Sequence, residues 1–352
     1  MSQDLRIATF NCENLFSRPR IFGKKRELSL ELLGYVSLLQ DELSKDVFDH
    51  NSIKELKRKL SGYAKINDVR GKHDKVVGAR EWLGWVELTR RRAEDVAVEN
   101  TARVLSDIDA DVLCLIEVEN RPALQRFHDD LLVKQFLKPA RKSSYEFILL
   151  IDGNDQRGID VAVMSRLPIS WVRSHMHEKT EYNGKMVPTF SRDCLEVQVE
   201  LPREGLLQLM VNHFKSMGYS PGNDPQSNRR RRGQVERVAE LVDEHNLQEE
   251  YIVVAGDFNS DSDSPSLAPL LGKMGLYNAN LELEPSQRGT YRTGKAQLDY
   301  LLISDALKGA LRSVYIERRG TYSRKWPNYE TVVGRRTEAS DHSAVVADFR
   351  LV

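Results

Sequence analysis

Short runs of apolar residues recur along the chain, each bounded by glycine or by polar turn residues. The clearest runs are LRIATFN, DVLCLIEV, EFILLI, IDVAVMS, CLEVQVEL, LLQLMVNHF, EYIVVAGDF, QLDYLLIS and HSAVVADFRLV. Runs of this length that are rich in Val, Ile, Leu and Phe are typical of buried β-strands. They are far shorter than the ~18 residues that a membrane-spanning helix needs. The pattern therefore predicts many buried strands and no association with a membrane.

Two segments between these runs have helical periodicity. Their apolar faces consist of Ala97, Thr101, Val104, Leu105 and Ile108, and of Val235, Val238, Ala239 and Val242. Each face has the spacing of an amphipathic helix and leads directly into an apolar run, as expected for a helix that covers a sheet. Strands separated by both helices and short turns predict an α/β protein with mixed sheets.

Residues 20 to about 92 have a different composition, rich in Lys, Arg, Glu and Leu, with no clear strand. Helical faces are formed by Leu32, Val36, Leu39 and Leu43, and by Ile53, Leu56 and Leu60. We interpret residues 20–92 as a mostly helical insertion after the first strand. Because the strands on either side belong to one sheet system, residues 1–352 are predicted to form a single domain that contains this insertion.

Charge and cysteine content narrow the class of protein. The 352 residues include 52 Lys and Arg and 52 Asp and Glu, so the formal net charge is zero. Any attraction to a polyanion must therefore be local. Only three cysteines occur, Cys12, Cys114 and Cys194, which excludes a disulfide scaffold. Together with an N-terminus that lacks the pattern of a secretory signal, this predicts a cytoplasmic protein.

Polar residues at the ends of the first two long apolar runs are candidate cation ligands. Asn11 and Glu13 lie two residues apart in TFNCENLF, and residues with this spacing share one face of an extended chain. Glu117 ends the run in LCLIEVEN. Carboxylate and amide oxygens are the donors that Mg²⁺ and Mn²⁺ prefer. Taken singly, however, such a residue is more often a turn former or a solvated side chain.

A second pair of polar residues follows the run in VVAGDFNSD. Asp257 and Asn259 are again two residues apart and share a face. A carboxylate beside an amide could activate water and hold a phosphoryl oxygen. The alternative is an ordinary turn, because Asp, Asn, Gly and Ser are the usual turn residues.

Histidines and one further carboxylate complete the candidate chemistry. Asp299 lies inside the alternating run QLDYLLIS, where a half-buried carboxylate needs a partner. Asp341 and His342 begin the last run, and His213 ends another. A histidine paired with a carboxylate is the usual proton carrier near neutral pH. A single histidine is more often structural.

These fragments, taken together and in this chain order, resemble the endonuclease/exonuclease/phosphatase superfamily, whose members include deoxyribonuclease I and exonuclease III. The fragments that carry the resemblance are FNCENLF, LIEVEN, RGIDVAVMSRLPI, NHFKS, GDFN, LDYLLIS and SDHSAV. They cover essentially the whole chain outside the insertion, and NHFKS with the RRRRGQ helix is most similar to bacterial nuclease-type members. The resemblance implies a four-layer α/β/β/α sandwich with two mixed sheets face to face.

The resemblance also implies a metal site. Glu117 matches the main metal-binding glutamate of the family, and Asn11 matches its first-strand asparagine. Glu13 stands where relatives have an acidic residue near the metal, and Asp341 matches a further acid of that site. The implied cofactor is Mg²⁺ or Mn²⁺.

The catalytic residues implied by the resemblance are Asp257, Asn259, Asp299, His342 and His213. The first two match the water-orienting aspartate and the phosphate-binding asparagine. His342 matches the catalytic histidine, and Asp299 the acid that hydrogen-bonds to it. His213 resembles a second active-site histidine that deoxyribonuclease I has and exonuclease III lacks. The glutamate that pairs with this second histidine in deoxyribonuclease I is not identifiable here.

The leading hypothesis is metal-dependent hydrolysis of phosphodiester bonds in nucleic acid, with DNA preferred to RNA. A phosphatase or phosphodiesterase acting on another phosphoester is the alternative. Phosphatase members usually carry Tyr-Arg or Phe-Arg after GDFN, where this chain has Ser260 and Asp261. A third reading is an inactive binding protein, which would be expected to have lost site residues that this chain keeps.

Local polar and basic residues are candidate contacts to substrate phosphate. They are Asn212, Lys215, Arg157, Arg192, Arg229 and Arg230. Two of these arginines lie at the start of a predicted helix, where the helix terminus already attracts anions. The alternative for the arginines is an ordinary ion pair at a strand edge or on a solvated face.

Overall fold

The computed structural model describes residues 3–15, 17–24, 26–68, 84–92, 94–155, 157–203, 205–217, 224 and 226–351. The chain divides into two compact units. The main unit consists of residues 1–15 and 94–352, and the inserted unit of residues 16–93. All candidate site residues belong to the main unit.

The strands of the described residues are β1 (Gln3–Leu15), β2 (Ser17–Pro19), β3 (Ala64–Asp68), β4 (Gly84–Leu88), β5 (Arg90–Arg92), β6 (Val112–Val118), β7 (Phe147–Leu150), β8 (Asp160–Ser165), β9 (Ile169–Ser174), β10 (Lys179–Tyr182), β11 (Lys185–Pro188), β12 (Cys194–Leu201), β13 (Gly205–His213), β14 (Tyr251–Asp257), β15 (Leu276–Asn278), β16 (Asp299–Ser304), β17 (Leu311–Glu317) and β18 (Ala344–Leu351). The α-helices are α1 (Arg26–Leu43), α2 (His50–Lys59), α3 (Asp95–Ile108), α4 (Arg121–Arg126), α5 (Asn228–Val242), α6 (Ala268–Leu271) and α7 (Asp305–Lys308). The chain after α4 continues as a π-helix, Phe127–Leu137, and short 3₁₀ turns occupy Arg20–Gly23, Ala279–Glu282 and Pro285–Gln287.

Two six-stranded sheets form the main unit. The first has the strand order β17-β18-β1-β6-β8-β7, and the second has the order β15-β16-β14-β13-β12-β9. Each sheet contains one parallel pair, β1 with β6 in the first and β13 with β14 in the second. Parallel neighbours require a crossover connection, and α3 and α5 supply the two helical crossovers. This explains why each predicted helix immediately precedes an apolar run.

The apolar side chains between the two sheets form one continuous core. The first sheet contributes Ile7 and Cys114, and the second contributes Val211, Val253 and Leu301. On the outer face of the second sheet, α5 packs against alternate residues of β13, β14 and β16. On the first sheet, α3 contacts β1. The predicted four-layer α/β/β/α sandwich is confirmed.

All nine apolar runs form strands at the predicted places. The sequence reading missed strands such as β9, β15 and β17, which lie at the sheet edges. Much of β9 is exposed, so it has no continuous apolar run to reveal it. A bilayer-spanning helix is absent from the described residues.

The inserted unit contains the two helices that the periodicity indicated, α1 and α2. It also contains two antiparallel strand pairs, β2 with β5 and β3 with β4, in a segment where no strand was predicted. Leu32 and Leu39 of α1 and Ile53 of α2 share a core with Ile66 of β3 and Val86 of β4. The strands were missed because they are short and contribute few apolar residues each.

Candidate active site

Three polar residues stand in one row across the second sheet. His213 at the end of β13 pairs in register with Asp257 at the end of β14, and Asp257 pairs with Asp299 at the start of β16. The row arises because β13 and β14 run parallel and end together, whereas β16 runs the opposite way and begins there. Residues from distant parts of the chain thereby lie side by side.

Gly256 allows this row to form. Its φ is +133°, and a Cβ atom at this position would lie 1.9 Å from the backbone oxygen of Asn212 on the neighbouring strand. Only glycine can bring β14 this close to β13 with this backbone conformation. The glycine of the GDFN motif is therefore required by the close approach of these two strands.

His342 and Asp299 form a buried pair. His342 Nδ1 lies 2.8 Å from Asp299 Oδ2. The histidine backbone is fixed on both sides, because its N–H donates to Ser340 Oγ and its carbonyl accepts from Thr321 Oγ1. Burial acts to lower the pKa of His342, but the charge and hydrogen bond of Asp299 outweigh it, so the pKa is raised well above its ordinary value. The pairing favours an imidazolium whose Nε2 points away from Asp299.

Asp257 lies at the centre of a hydrogen-bond network. Its Oδ2 accepts from Asn11 Nδ2 at 3.1 Å and from Asn259 Nδ2 at 3.1 Å, and its Oδ1 accepts from the Asn259 backbone N–H at 2.8 Å. Burial raises the pKa of Asp257 to about 7, and repulsion from Asp299 contributes. The two asparagines fix the carboxylate in one orientation. Asp257 and Asn259 thus belong to a hydrogen-bond network that includes Asn11, and not to an isolated turn.

The four predicted metal ligands lie at the end of the first sheet. Glu13 and Glu117 both have left-handed backbone conformations, with φ of +45° and +62°. The ladder between β1 and β6 is irregular between Asn11 and Leu15, and the ladder between β6 and β8 is irregular at Glu117. Such bulges redirect side chains at strand ends. Glu13 Oε2 accepts from the Asp341 backbone N–H at 3.0 Å, which joins β1 to the start of the last strand.

This donor set fits a hard divalent cation. Asn11, Glu13, Glu117 and Asp341 offer only oxygen donors, as Mg²⁺ and Mn²⁺ prefer. Burial raises the pKa of Glu117, and repulsion from Asp341 contributes. A buried carboxylate whose charged form is disfavoured in this way is stabilised when a cation neutralises it.

A second group of side chains could also hold a metal ion. One ligand atom from each of Asp257, Asp299 and His342 lies within 4.8 Å of the others. However, Asp299 and His342 are already joined by a hydrogen bond, and the Asp257 carboxylate accepts from two asparagines. A cation here would compete with those bonds, and a cation at the oxygen-donor set would likewise compete with the bonds of Asn11 Oδ1 to the Glu13 N–H and of Glu13 Oε2 to the Asp341 N–H.

His213 lies between the two groups. Its Nε2 is 3.6 Å from Asp257 Oδ2 and 3.8 Å from Glu117 Oε1. Burial and the nearby charge of Arg192 lower the pKa of His213 well below its ordinary value. Its Nδ1 has no hydrogen-bond partner among the described residues.

The chain matches the model of the Endonuclease/Exonuclease/phosphatase family over residues 82–342. It belongs to this family. Enzymes of the endonuclease/exonuclease/phosphatase family are hydrolases that act on phosphoesters, generally with divalent metals. No curated protein matches the chain.

Solved structures of the endonuclease/exonuclease/phosphatase fold resemble the whole chain. A family member from Bacteroides vulgatus has a TM-score of 0.54 at 13% identity, covering 99% of this chain and 100% of that one. A family member from Beutenbergia cavernae has a TM-score of 0.53 at 16% identity, covering 99% and 72%. D. rerio TDP2 humanized by 14 mutations has a TM-score of 0.50 at 15% identity, covering 98% of each chain. At these identities the likeness concerns the fold.

Two predicted phosphate contacts of this family member instead fasten a hairpin to α5. Arg229 Nη2 donates to Asn183 Oδ1 at 2.8 Å, and Arg230 Nη2 donates to the carbonyl of Pro188. Both guanidinium groups also lie over the ring of Tyr182. These contacts are to an amide oxygen, a backbone carbonyl and an aromatic ring, and differ from the ion pairs on a solvated face that were the alternative; a role for these arginines in binding phosphate stays a prediction.

Asn212 requires a correction. It is fully buried, and its Nδ2 donates to the carbonyl of Met210 on its own strand. Successive residues of a strand point to opposite faces, so Asn212 lies on the α5 side of β13 while His213 lies on the other. Asn212 is adjacent to His213 in sequence but lies on the opposite face of the strand, so it is not a phosphate contact.

Arg157 and Arg192 meet at one carboxylate. Arg157 donates to Asp155 through Nε at 2.8 Å and through Nη2 at 2.5 Å, and Arg192 Nε lies 2.9 Å from Asp155 Oδ2. Burial acts to raise the pKa of Asp155, but the two guanidinium groups together hold it below its ordinary value. The strand-edge ion pair anticipated as an alternative is therefore present, and it is shared by two arginines.

Sequence reasoning missed three residues that organise the site. Asp155 is one, and its spacing two residues before Arg157 was the available signal. The others are Arg231 and Gln234, which bind the backbone carbonyl and N–H of Lys215. Both lie on the buried face of α5, since Arg231 is four residues before Val235 and Gln234 is four residues before Val238, so a polar residue on an apolar face was the signal there.

Proposed function

We propose that this protein hydrolyses phosphodiester bonds in nucleic acid with a divalent metal ion, and that it prefers DNA to RNA. The observation that carries the proposal is the row of His213, Asp257 and Asp299, completed by His342 and adjoining an oxygen-donor set. Family membership supports the broader class of reaction, the hydrolysis of phosphoesters.

The metal site supplies the first part of the chemistry. Asn11, Glu13, Glu117 and Asp341 would hold Mg²⁺ or Mn²⁺. The bound cation would neutralise negative charge on the phosphoryl oxygens, which otherwise repels a nucleophile. Asn11 connects this site to Asp257 through its Nδ2, so that the two groups keep a fixed relation.

The remaining residues act on water and phosphate. Asp257, an acceptor held in one orientation, aligns the attacking water or takes its proton. His213 would donate to a phosphoryl oxygen, and Asn259, whose Nδ2 donates to Asp257 and to the Phe214 carbonyl, would bind phosphate by exchanging one of these bonds. His342, oriented by Asp299, presents Nε2 as a donor to the charge that develops in the transition state. Water attacks phosphorus in line with one esterified oxygen, the P–O bond to that oxygen breaks, and the leaving oxygen takes up a proton, which gives an alcohol and a phosphomonoester.

The residues after the GDFN motif favour a nucleic acid as the substrate over the phosphoesters that phosphatase members hydrolyse. Ser260 is buried beside Ser266, and Asp261 Oδ1 accepts from the backbone N–H of Gln297 at 2.9 Å. Ser260 and Asp261 therefore make structural contacts, at the positions where phosphatase members carry an aromatic residue and an arginine.

Single alanine substitutions test the proposal. We expect Glu117→Ala, Asp257→Ala and His342→Ala each to lower kcat at least about 100-fold on plasmid DNA with Mg²⁺, because each removes a separate part of the chemistry. EDTA should abolish the activity of the unaltered protein, and Mn²⁺ or Mg²⁺ should restore it. Lys138→Met, at an exposed position, is the control.

A substrate panel decides between nucleic acid and other phosphoesters. DNA, RNA, bis-p-nitrophenyl phosphate and phosphomonoesters would be compared under the same conditions. Greater kcat/KM on DNA than on RNA and on the small esters is expected. Near-normal cleavage by all three alanine variants would overturn the site assignment, and activity confined to monoesters would overturn the substrate assignment.

A further inference from the structure

The pair of Asp299 and His342 joins the two sheets of the main unit. Asp299 begins β16 in the second sheet, whereas His342 lies just before β18 in the first sheet. The hydrogen bond between the two side chains spans 2.8 Å. Because β16 and β18 belong to different sheets, no strand ladder of the described residues sets this distance. Another contact is needed to fix the two strand ends relative to each other.

Thr290 binds the backbone at both strand ends. Its Oγ1 accepts from the Asp299 N–H at 3.1 Å and from the Leu298 N–H at 3.0 Å. Its carbonyl accepts at 2.7 Å from the N–H of Ser343, the residue after His342. Thr290 is 1% exposed, so these bonds are shielded from competition by solvent. One residue thus connects the backbone at Asp299 with the backbone at His342.

The segment that carries Thr290 is held by bonds of its own. The N–H groups of Thr290 and Tyr291 both donate to the Ala296 carbonyl, at 2.8 and 3.1 Å, and this closes a short turn. Gly289 allows the turn to be this tight, because a Cβ atom there would lie 2.0 Å from the Gly294 carbonyl oxygen. Thr290 is therefore fixed within its turn as well as at the two strand ends.

The next residue, Tyr291, covers the imidazole of His342. The ring centroids are 4.9 Å apart, with an angle of 57° between the ring planes. The two residues also form an antiparallel β-bridge. Because Tyr291 follows Thr290 directly, the bonds of Thr290 also determine where the tyrosine ring meets the imidazole.

We propose that Thr290 is a positioning residue that holds Asp299 and His342 at hydrogen-bond distance. Its Oγ1 sets the backbone of Asp299, and its carbonyl sets the backbone beside His342. A displacement of either strand end would lengthen the bond between the pair and turn His342 Nε2 away from the reacting phosphate. An error of about 1 Å in the position of a catalytic group can lower a rate about 100-fold. This inference rests on the proposed function for the reaction that the pair serves.

Thr290→Val and Thr290→Ser separate the hydroxyl group from the shape of the side chain. Valine has nearly the shape of threonine but offers no acceptor, whereas serine keeps the acceptor. We expect Thr290→Val to lower kcat on plasmid DNA with Mg²⁺ about 10- to 100-fold with little change in KM, and Thr290→Ser to keep most of the activity. Thr293→Val, at an exposed position of the same turn, is the matched control and should match the unaltered protein. An unchanged kcat in Thr290→Val would overturn the proposal.

A double-mutant cycle distinguishes positioning from a general effect on stability. In the His342→Ala background the pair no longer exists, so Thr290→Val should cause little further loss of the residual kcat. A loss that multiplies with that of His342→Ala would mean that Thr290 acts elsewhere, and would overturn the proposal. Thr290→Ala removes the same acceptor and takes the place of Thr290→Val in the cycle if the valine variant has a lowered melting temperature.

A proton resonance provides a readout that does not depend on nuclease activity. With isotope-labelled histidine and EDTA present, the proton between His342 Nδ1 and Asp299 should give a deshielded resonance that His342→Gln removes. Thr290→Val should shift this resonance, whereas Thr290→Ser and Thr293→Val should leave it nearly unchanged. A resonance at the same position in Thr290→Val would overturn the proposal. If the resonances behave as expected but no nucleic acid is hydrolysed, the proposed function fails and the positioning of the pair by Thr290 stands.

Discussion

At the scale of single residues, Asp155 and Asp160 are both largely buried, yet the pKa values of their carboxyl groups are shifted in opposite directions. Asp155 is surrounded by Arg157 and Arg192, which keep the pKa of its carboxyl below the ordinary value. Asp160, at the start of β8, accepts one hydrogen bond from the Gly153 N–H at 2.9 Å. Burial raises the pKa of Asp160 to about 7, with some help from the charge of Asp152. A carboxylate therefore requires a cation, and not only one N–H donor, to stay ionised here.

Asp160 makes the stability of the protein depend on pH. Its ordinary pKa of 3.8 rises to about 7 on folding, so the folded state holds more protons than the unfolded state between these values. Stability should accordingly fall as the pH rises from about 4 to about 7, by up to about 4 kcal/mol from this group. Asp160→Asn keeps the acceptor for Gly153 and should remove that part of the decline.

The measurement is the free energy of urea unfolding at pH 4.5 and at pH 8, with EDTA present. The exposed Asp263→Asn is the matched control and should follow the unaltered protein at both pH values. An Asp160→Asn protein that loses as much stability with rising pH as the unaltered protein would contradict the assignment.

At the scale of secondary-structure elements, the ends of β13, β14 and β16 decide whether the site exists. The row of His213, Asp257 and Asp299 depends on the register of these strands, and α5 holds the chain that leaves β13. Two substitutions test these elements separately, one within the sheet and one on the helix.

Gly256→Ala tests the close approach of β14 to β13. A methyl group 1.9 Å from the Asn212 carbonyl oxygen must displace a central strand, and the left-handed region adds strain. We expect a loss of at least about 3 kcal/mol in the free energy of unfolding. Gly233→Ala is the control, since nothing lies within 4 Å of a Cβ at that helical position, and it should stabilise by about 0.5–1 kcal/mol. Equal effects of the two substitutions on the melting temperature would refute this account of β14.

Arg231→Met tests the attachment of α5 to Lys215. The guanidinium is fully buried and donates to the carbonyls of Lys215 and Gln226 and to Asn228 Oδ1. Its loss leaves buried acceptors without donors and should cost about 2–4 kcal/mol in urea unfolding. Lysine should not restore it, because a single ammonium cannot reproduce the planar fork of donors.

The neighbouring Arg232 provides the control for this helix. It is paired with Glu236 at the surface, so Arg232→Met should change stability by less than about 0.5 kcal/mol. Similar losses for both substitutions would mean that net charge, and not the buried contact of Arg231, determines the effect.

At the scale of the whole molecule, two units have separate cores. The core between the sheets and the core beneath α5 consist of main-unit residues only, and the inserted unit buries its own set from α1 to β4. The strands through which the chain enters and leaves the inserted unit pair with each other, with Ser17 opposite Arg92. An insertion whose two ends lie side by side can be accommodated between β1 and α3 without altering either element.

Replacement of residues 16–93 by a short Gly-Ser linker should therefore leave the main unit folded. We expect cooperative urea unfolding, with a smaller dependence on urea concentration because less surface becomes exposed. Hydrolysis of bis-p-nitrophenyl phosphate with Mg²⁺ should be retained. Loss of cooperative unfolding would show that the main unit needs the insertion to fold.

The nine apolar strands and the two crossover helices of the main unit could be predicted from local patterns. The run VLCLIEV is apolar on both faces of its strand, and the spacing of Val235 and Val238 is that of one helix face, so both elements can be recognised without knowledge of distant contacts. Edge strands such as β9 were missed because one side of them meets solvent. The family was also recognised from motifs that are short and contiguous, and the family match confirms it.

What the sequence by itself determined is the apolar strands and the amphipathic helices, the family and the residue types available for the chemistry, since each of these depends on residues that are neighbours in the chain. Only the tertiary structure decided which residues share a partner. The pairing of Asp155 with Arg192, the opposite sides taken by Asn212 and His213, and the attachment of Lys215 to α5 follow from strand register and helix packing. These contacts join residues that are far apart in the chain, and the free energy that selects them depends on burial of the whole core, which no local pattern records.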